Sequence, residues 1–327
     1  MNSINMTSVF RGAAWTRRPP APTARGPAYD RASRIAAMAA LVLAAGATLV
    51  EQAAHDAVPD KSASTPERAA GIVRPANPAG TFVGAYGGVP FTYPSDVTLK
   101  RAGVHDLTIK DVAWDGRPFK APVYYGARVA HWRDEATFGA MLDFTHSKAI
   151  SRFGDTAVLE GILSGAPAPS RARIGELFKH LEFSHGHNML TLNGLYRAPR
   201  IGARLQPYLG LGAGVSLPHT EIALHTDAQR TYEYQYTGPV AQTLIGIEIQ
   251  LPRNMVLFVE YKLSIAPYEV PLTFVEGRLL VNDLWGQLQR WLSGAAPIGG
   301  YLRTRLTSHM LNVGIGARFQ SAPTAAR

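Results

Sequence analysis

Residues 255–265 read MVLFVEYKLSI. Met255, Leu257, Val259, Tyr261, Leu263 and Ile265 fall on one face of an extended chain and are all apolar. Val256, Phe258, Glu260, Lys262 and Ser264 fall on the other face, which carries a carboxylate and an ammonium. The period is that of a strand, not of a helix. The same alternation recurs along the chain. Tyr208, Gly210, Gly212 and Gly214 alternate with Leu209, Leu211, Ala213 and Val215, and Ile245, Ile247 and Ile249 alternate with Leu244, Gly246, Glu248 and Gln250. This predicts strands over 80–89, 120–132, 136–148, 185–198, 204–217, 238–250, 254–267 and 302–319.

A soluble sandwich also alternates, so the connections carry the decision. Three are short: 133–135, 199–203 and 251–253. Four are long: 90–119, 149–184, 218–237 and 268–301. Short turns at one end and long loops at the other describe an all-β fold, an eight-stranded antiparallel up-and-down outer-membrane β-barrel with four long extracellular loops. The expected location is the bacterial outer membrane. The last strand agrees: Leu311, Val313, Ile315, Ala317 and Phe319 oppose Asn312, Gly314 and Gly316, with 320–327 as a tail. A soluble β-barrel is the alternative, weakened because charge is confined to one face of most strands. Segments 105–113 and 271–280 read as extra strands or loop hairpins.

Composition fits a chain that does not meet bulk water everywhere. Only 17% of the 327 residues are charged, against 46% hydrophobic, and 31 are Gly; soluble domains carry about 25% charged residues. The absence of Cys excludes disulfides, thiolate metal sites, iron–sulfur clusters and Cys nucleophiles. The formal charge of +9 is partly an address. Residues 1–34 hold six Arg and a single acid, Asp30, and the uncharged run IAAMAALVLAAGATLV follows at 35–50. That run is short for a membrane span. With Ala45-Gly46-Ala47 behind it, residues 1–47 read as a signal peptide with a long basic n-region, an uncleaved anchor being the alternative. Residues 48–79, rich in Ala, Pro and Ser, read as a disordered lead-in to a barrel at 80–319. Without residues 1–47 the charge falls to +4, which argues against nucleic acid as a partner. A monomer is expected.

With the apolar faces on lipid, the lumen receives Arg128, Asp143, Thr191, Asn193, Arg204, Gln206, Gln242, Glu248, Glu260, Lys262 and Asn312. Eight strands enclose a space that side chains fill, so these residues read as a self-satisfied plug rather than a pore, and function is expected in the loops. Leu279–Leu292 (LLVNDLWGQLQRWL) has the spacing of an amphipathic helix, lying on the rim in the headgroup layer or capping the barrel against its own loops. Loop cations, among them Lys100, Arg117, Lys120, Lys148, Arg230 and Arg303, suit the phosphates and acidic sugars of lipopolysaccharide.

Chemistry-bearing residues gather at the loop ends of three consecutive strands: Asp143 and His146, then His185 and His187, then His219 and Glu221. Two residues apart in a strand, His185 and His187 should share the lumen face, with Asp143; His146 has the opposite parity. Imidazole with carboxylate suits a divalent metal with open positions. The expected ligands are His185, His187 and a carboxylate from Asp143 or Glu221, assisted by His146 and His219. The competing reading is a set of loop histidines hydrogen-bonded at a wet rim. A Ser–His hydrolase is a further option, through Ser216 or Ser147 near His185 or His187; neighbours in a strand face opposite ways, so Ser184 should not pair with His185.

The stretches GVPFTYPSDVTLK (88–100), DVAWDGRPFKAPVYYG (111–126), MLDFTHSKAI (141–150), FSHGHNMLTLNGLYR (183–197), PYLGLGAGVSLPHTE (207–221) and YQYTGPVAQTLIGIE (234–248) resemble the rhizobial outer-membrane lipid A oxidase family. The resemblance covers most of 80–319. It implies an enzyme of the outer leaflet that uses O2 as co-substrate and a divalent metal ion to convert the proximal glucosamine of dephosphorylated lipid A to 2-aminogluconate, releasing peroxide. Lipid A or lipopolysaccharide and outer-membrane lipid would be its partners. No flavin or haem is implied, and the sequence holds no dinucleotide fingerprint. The alternatives are a non-enzymatic barrel for adhesion or membrane integrity, or a lipid A acyl hydrolase.

Overall fold

The computed structural model describes residues 80–132, 137–202 and 204–319. The expected signal peptide, lead-in, C-terminal tail and 133–135 turn lie outside the described residues. In chain order the strands are β1 (Gly80–Thr92), β2 (Ser95–Arg101), β3 (His105–Val112), β4 (Trp114–Asp115), β5 (Tyr125–Trp132), β6 (Phe138–Ser151), β7 (Thr156–Leu163) and β8 (Ala166–Pro167). There follow β9 (Arg171–Arg173), β10 (Phe178–Arg197), β11 (Leu205–Ser216), β12 (His219–Leu224), β13 (Thr231–Tyr234), β14 (Gly238–Gln250), β15 (Met255–Pro271) and β16 (Tyr301–Phe319).

Eight of these form a closed antiparallel ring in the order β1-β5-β6-β10-β11-β14-β15-β16. The ring closes where β16 returns to β1, from Thr81 opposite Phe319 to Thr92 opposite Ser308. Along β15, Val256, Phe258, Glu260, Lys262 and Ser264 are buried, while Val259, Tyr261 and Ile265 are exposed. Leu142, Leu211, Ile245, Val313 and Ile315 continue this exposed belt around the ring. A closed ring, apolar outside and polar inside, is the architecture of a bacterial outer-membrane barrel. It leaves no backbone group unpaired in lipid.

The lumen is filled. The Arg128 guanidinium makes a two-pronged contact with Glu260, at 2.7 and 2.8 Å, and reaches Asp143 at 3.1 Å. It lies between the rings of Tyr86 and Phe258, 4.6 and 4.5 Å from their centres. Lys262 donates to Asp143 at 2.5 Å and to Tyr86 at 2.8 Å. Gln242 and Asn312 complete the shells of Asp143 and Glu260. Two cations thus meet two anions, with neutral hydrogen-bonding side chains around them. Interior glycines make room for the aromatics: a Cβ at Gly126 would lie 1.9 Å from the Tyr86 ring. Every expected lumen residue is buried except Arg204, which is exposed at the turn end of its strand.

Above the membrane the sheet continues. Tyr301–Arg303 of β16 pairs with β2, and β2, β3, β7 and β8 extend that wall. The 105–113 segment is therefore a strand of a loop hairpin, not a ninth crossing. Of 271–280, Pro271 ends β15, and beyond it, among the described residues, only a bridge at Glu276 to Tyr232 is strand-like. On the opposite wall β12 and β13 extend the sheet above β10.

The free edge of β13 is covered by the helix Leu280–Ser293. Asp283 accepts from the Tyr234 amide at 3.0 Å, and Gln287 accepts from the Tyr236 amide at 2.8 Å. Capping an edge in this way prevents further strand addition. The helix thus docks through its polar residues and presents Val281, Trp285, Leu288 and Leu292 as an exposed apolar stripe. That arrangement suits the headgroup layer rather than a cap over the lumen.

Candidate functional site

The wall that carries the site is built by β10, which crosses the membrane and keeps going. In its lower half Thr191 and Asn193 are buried in the lumen while Leu190 and Leu192 point out. Between Phe183 and His187 the register with β6 slips. The cause is local: Gly186 has φ of +143°, where a side chain is strained, and a Cβ there would meet the Asn188 amide at 2.5 Å. Above this bulge Leu181 and Phe183 fill the interior, so His180 and Glu182 face outward. Opposed residues of an antiparallel pair share a face. Glu221 lies opposite Glu182, Tyr232 opposite Glu221, and Tyr234 opposite His219. All therefore stand on the outer face of the wall, continuous with the lipid-facing belt below.

The group is compact. The ring Nδ1 of His180 is 3.4 Å from a carboxylate oxygen of Glu182 and 3.4 Å from one of Glu221. Donor atoms of these three residues all lie within 4.8 Å of one another. His185 Nδ1 stands 3.8 Å from the other oxygen of Glu221. The rings of His185 and His219 are 5.3 Å apart. Arg230 closes the top, donating to Glu221 at 2.7 Å and Glu276 at 3.0 Å. Burial and the neighbouring His185 hold the His219 imidazole below its ordinary pKa, and its Nδ1 has no hydrogen-bond partner.

The donor set fits a divalent transition metal. Ligands about 2.0–2.2 Å from a metal stand roughly 3–3.5 Å from each other, close to the His180–Glu182–Glu221 spacing. Three carboxylates, Glu182, Glu221 and Glu276, face one guanidinium, so the site favours a cation. One oxygen of Glu221 already accepts from Arg230, which leaves the second for another partner.

The structure sorts the expected residues into three places. His185, His219 and Glu221 belong to the group just described. His187 and Asp143 do not join it, which corrects the expected ligand set. His187 is buried inside the barrel, bonded to the Tyr268 hydroxyl. Asp143 lies deeper still, with Lys262 and Arg128 on its oxygens. The bulge at Gly186 turns His185 outward and leaves His187 inward, so the two do not share a face. His146 has the outward parity expected of it; it stacks on Tyr125 with ring centres 4.8 Å apart and bonds Asn188 at 2.8 Å. His180 and Glu182 complete the group and were not anticipated, because strand four was expected to begin at 185. The sequence signal was present: HLEF at 180–183 continues the alternation upward.

The bulge also overturns the expectation for Ser184. Its hydroxyl lies 3.3 Å from His185 Nδ1. Glu221 approaches the same ring nitrogen, and Tyr232 the other, at 3.5 Å. A serine triad needs hydroxyl and carboxylate on different nitrogens, and this arrangement lacks that. Beside the group is a cavity of about 350 Å³ lined by Lys179, His180, Asp227, Arg230, Phe274 and Glu276. It shares His180 and Arg230 with the group and has room for a polar headgroup.

No protein-family model matches the chain, and no curated protein matches it. Among solved structures it is similar to Neisserial surface protein A, with 11% identity, 74% of this chain and 99% of that chain covered, and a TM-score of 0.32. Outer membrane protein AlkL gives 14% identity, 80% and 99% coverage, and a TM-score of 0.33. Outer membrane protease OmpT from Escherichia coli gives 10% identity, 75% and 98% coverage, and a TM-score of 0.36. The fold assignment rests on the closed ring and its two-sided polarity.

Proposed function

We propose that this barrel is a metal-dependent oxidase acting on lipid A in the outer leaflet, converting its proximal glucosamine to 2-aminogluconate with O2. The observation that carries the reading is the His180–Glu182–Glu221 group, flanked by His185 and His219, on the outer side of the wall. A lipid substrate reaches that face by lateral diffusion; it could not reach the filled lumen. The sequence resemblance given above supports the choice of oxidation.

The reaction removes the C1 hydrogen and the C1 hydroxyl proton of the sugar, with two electrons, and delivers them to O2 as hydrogen peroxide. Water then opens the lactone to the acid, so the lipid gains one oxygen atom overall. His180, Glu182 and Glu221 would hold the metal, with His185 as a fourth donor. When bound, the metal supplies a binding place for O2 and the sugar hydroxyl together. The protein's own part is to place and deprotonate the sugar. His219, whose Nδ1 has no hydrogen-bond partner, is the base for the hydroxyl proton. Arg230 and Lys179 line the cavity that would receive the sugar, and the Trp285 stripe would lie among acyl chains.

Mass spectrometry of lipid A from cells with and without the gene tests this. A species heavier by one oxygen should appear only with the gene, and should vanish with His180→Ala or on chelation and return with added metal. An unchanged lipid A pattern would sink the reading. An acyl hydrolase is the second reading, and the approach of Ser184 and Glu221 to the same ring nitrogen of His185 counts against it. That enzyme would release a fatty acid, ignore chelators and depend on Ser184.

A further inference from the structure

Most charged side chains of the rim are already paired. Lys100 meets Asp106, Arg101 meets Asp227, Arg173 meets Glu176, and Arg303 meets Glu269. One patch differs. Lys148, on β6 two residues above His146, is 4% exposed, yet among the described residues no carboxylate stands within ion-pair distance of its ammonium. Its Nζ donates instead to the backbone carbonyl of Lys120 at 2.5 Å. The Lys120 amide in turn bonds the Arg117 carbonyl at 3.2 Å, which winds the 116–124 segment so that two more cations stand beside Lys148. Arg117 has only a 3.7 Å approach to Asp115, whose carboxylate is taken by Arg152 at 2.7 Å.

The same segment is apolar where it is most exposed. Phe119 is 82% exposed and Val123 50%, and Tyr125 and Phe144 lie below them on the outer wall. A burial cost has been met for an ammonium with no carboxylate in direct contact among the described residues, beside side chains that suit an acyl layer. Burying a charge without its partner is costly, so the patch is a site built for an anion that the chain does not itself provide.

We propose that Arg117, Lys120 and Lys148 form a subsite for the phosphate or carboxylate of an outer-leaflet glycolipid, with Phe119 and Val123 among its acyl chains. The occupant is lipid-borne, because the apolar side chains continue the lipid-facing belt into the patch. Guanidinium and ammonium groups at this height make charge-assisted bonds to phosphate, and these are among the stronger hydrogen bonds. Glu182 is near enough to Lys148 for their charges to interact, so the subsite borders the His–Glu group. The anion held there sits away from the reacting sugar, which in the proposed reaction has already lost its phosphate. The subsite depends on the barrel's place in the membrane and not on the chemistry at His180, so the two can fail separately.

The test is lipid binding by the purified full chain in phosphatidylcholine nanodiscs, read by native mass spectrometry. One probe is monophosphoryl lipid A carrying phosphate on its distal sugar only; the other is the same lipid fully dephosphorylated. Arg117→Gln with Lys120→Gln, both exposed and safe for folding, should weaken binding of the phosphorylated lipid about tenfold or more and leave the other unchanged. Lys148→Met should do the same, with the heat-modified gel shift confirming that it folds. Arg173→Gln, at an exposed rim cation already paired with Glu176, should bind as the parent does. Equal binding of the phosphorylated lipid by parent and Arg117/Lys120 variant would overturn the proposal. So would competition by millimolar inorganic phosphate as effective as that of the lipid, which would make the occupant a free anion.

Discussion

This barrel holds two clusters of titratable side chains, and they could hardly differ more in how they are satisfied. In the lumen Arg128, Asp143, Glu260 and Lys262 are buried, matched in charge, and bonded at 2.5–3.3 Å to one another and to Tyr86, Gln242 and Asn312. On the outer rim His180, Glu182, His185, His219 and Glu221 approach at 3.4–3.8 Å, and the ring Nδ1 of His219 has no partner. Charge density alone would choose the lumen as the active site. Spare bonding capacity chooses the rim. A group whose hydrogen bonds are complete has no valence left for a ligand, whereas loosely spaced donors that share a face can still close on one.

The contrast can be broken by substitution. Arg128→Leu leaves Asp143 and Glu260 buried without their shared cation, and breaking such a pair costs about 3–5 kcal/mol. The refolded barrel should lose that much in a urea titration, while the folded fraction keeps its rim chemistry. A stable Arg128→Leu barrel would mean that water enters the lumen. The rim should respond in the opposite sense. His180→Ala with Glu221→Gln should lower affinity for a divalent ion by about a hundredfold, a loss of two ligands outweighing the 10–100-fold typical of outer-shell changes, as read by metal titration of the purified chain. Stability should move by less than about 1 kcal/mol, the usual worth of partly exposed ion pairs. The smallest effect is a pH slope. His219 in the folded chain has a pKa below the ordinary value of 6.5. Below about pH 6.5 the unfolded chain binds a proton that the folded chain does not, so stability falls as pH drops toward the folded-state value. His219→Asn should flatten that part of a stability profile measured in detergent.

How legible these two regions were from sequence differs for the same physical reason. The lumen and lipid faces follow a strict period of 2, and Met255–Ile265 alone gives the inward set of Glu260 and Lys262. All eight crossings were readable within a few residues, apart from the upward continuations of β10, from 185 to Phe178, and of β15, from 267 to Pro271, which pass from membrane to loop without a break in pattern. The rim was harder because one local bulge departs from that period. Between Phe183 and His187 β10 spends four residues against two of β6, so the inward parity is the same above and below, but His185, inside the bulge, leaves the lumen face, and the expected sharing of a face by His185 and His187 and the separation of Ser184 from His185 both fail. A glycine flanked by two histidines inside an otherwise regular strand is the sequence mark of that bulge. The chain positions of His219 and Glu221 were visible; their union with His180 and Glu182 needed the pairing of β12 on β10.

The lumen network has a consequence for how the ring is made. Its members come from β1, β5, β6, β14, β15 and β16, on both sides of the β1–β16 seam: Tyr86 reaches Asp143 and Lys262, and Tyr124 reaches Asn312 at 2.8 Å. If the last strand docked two residues out of step, every outer residue would still face lipid, and the apolar belt would register no error. The interior would: Asn312 would leave Tyr124 and Glu260, and each would be left short of a partner in a dry space. The charged plug therefore serves as a checksum on closure, accepting one register among several that the outside of the barrel cannot tell apart.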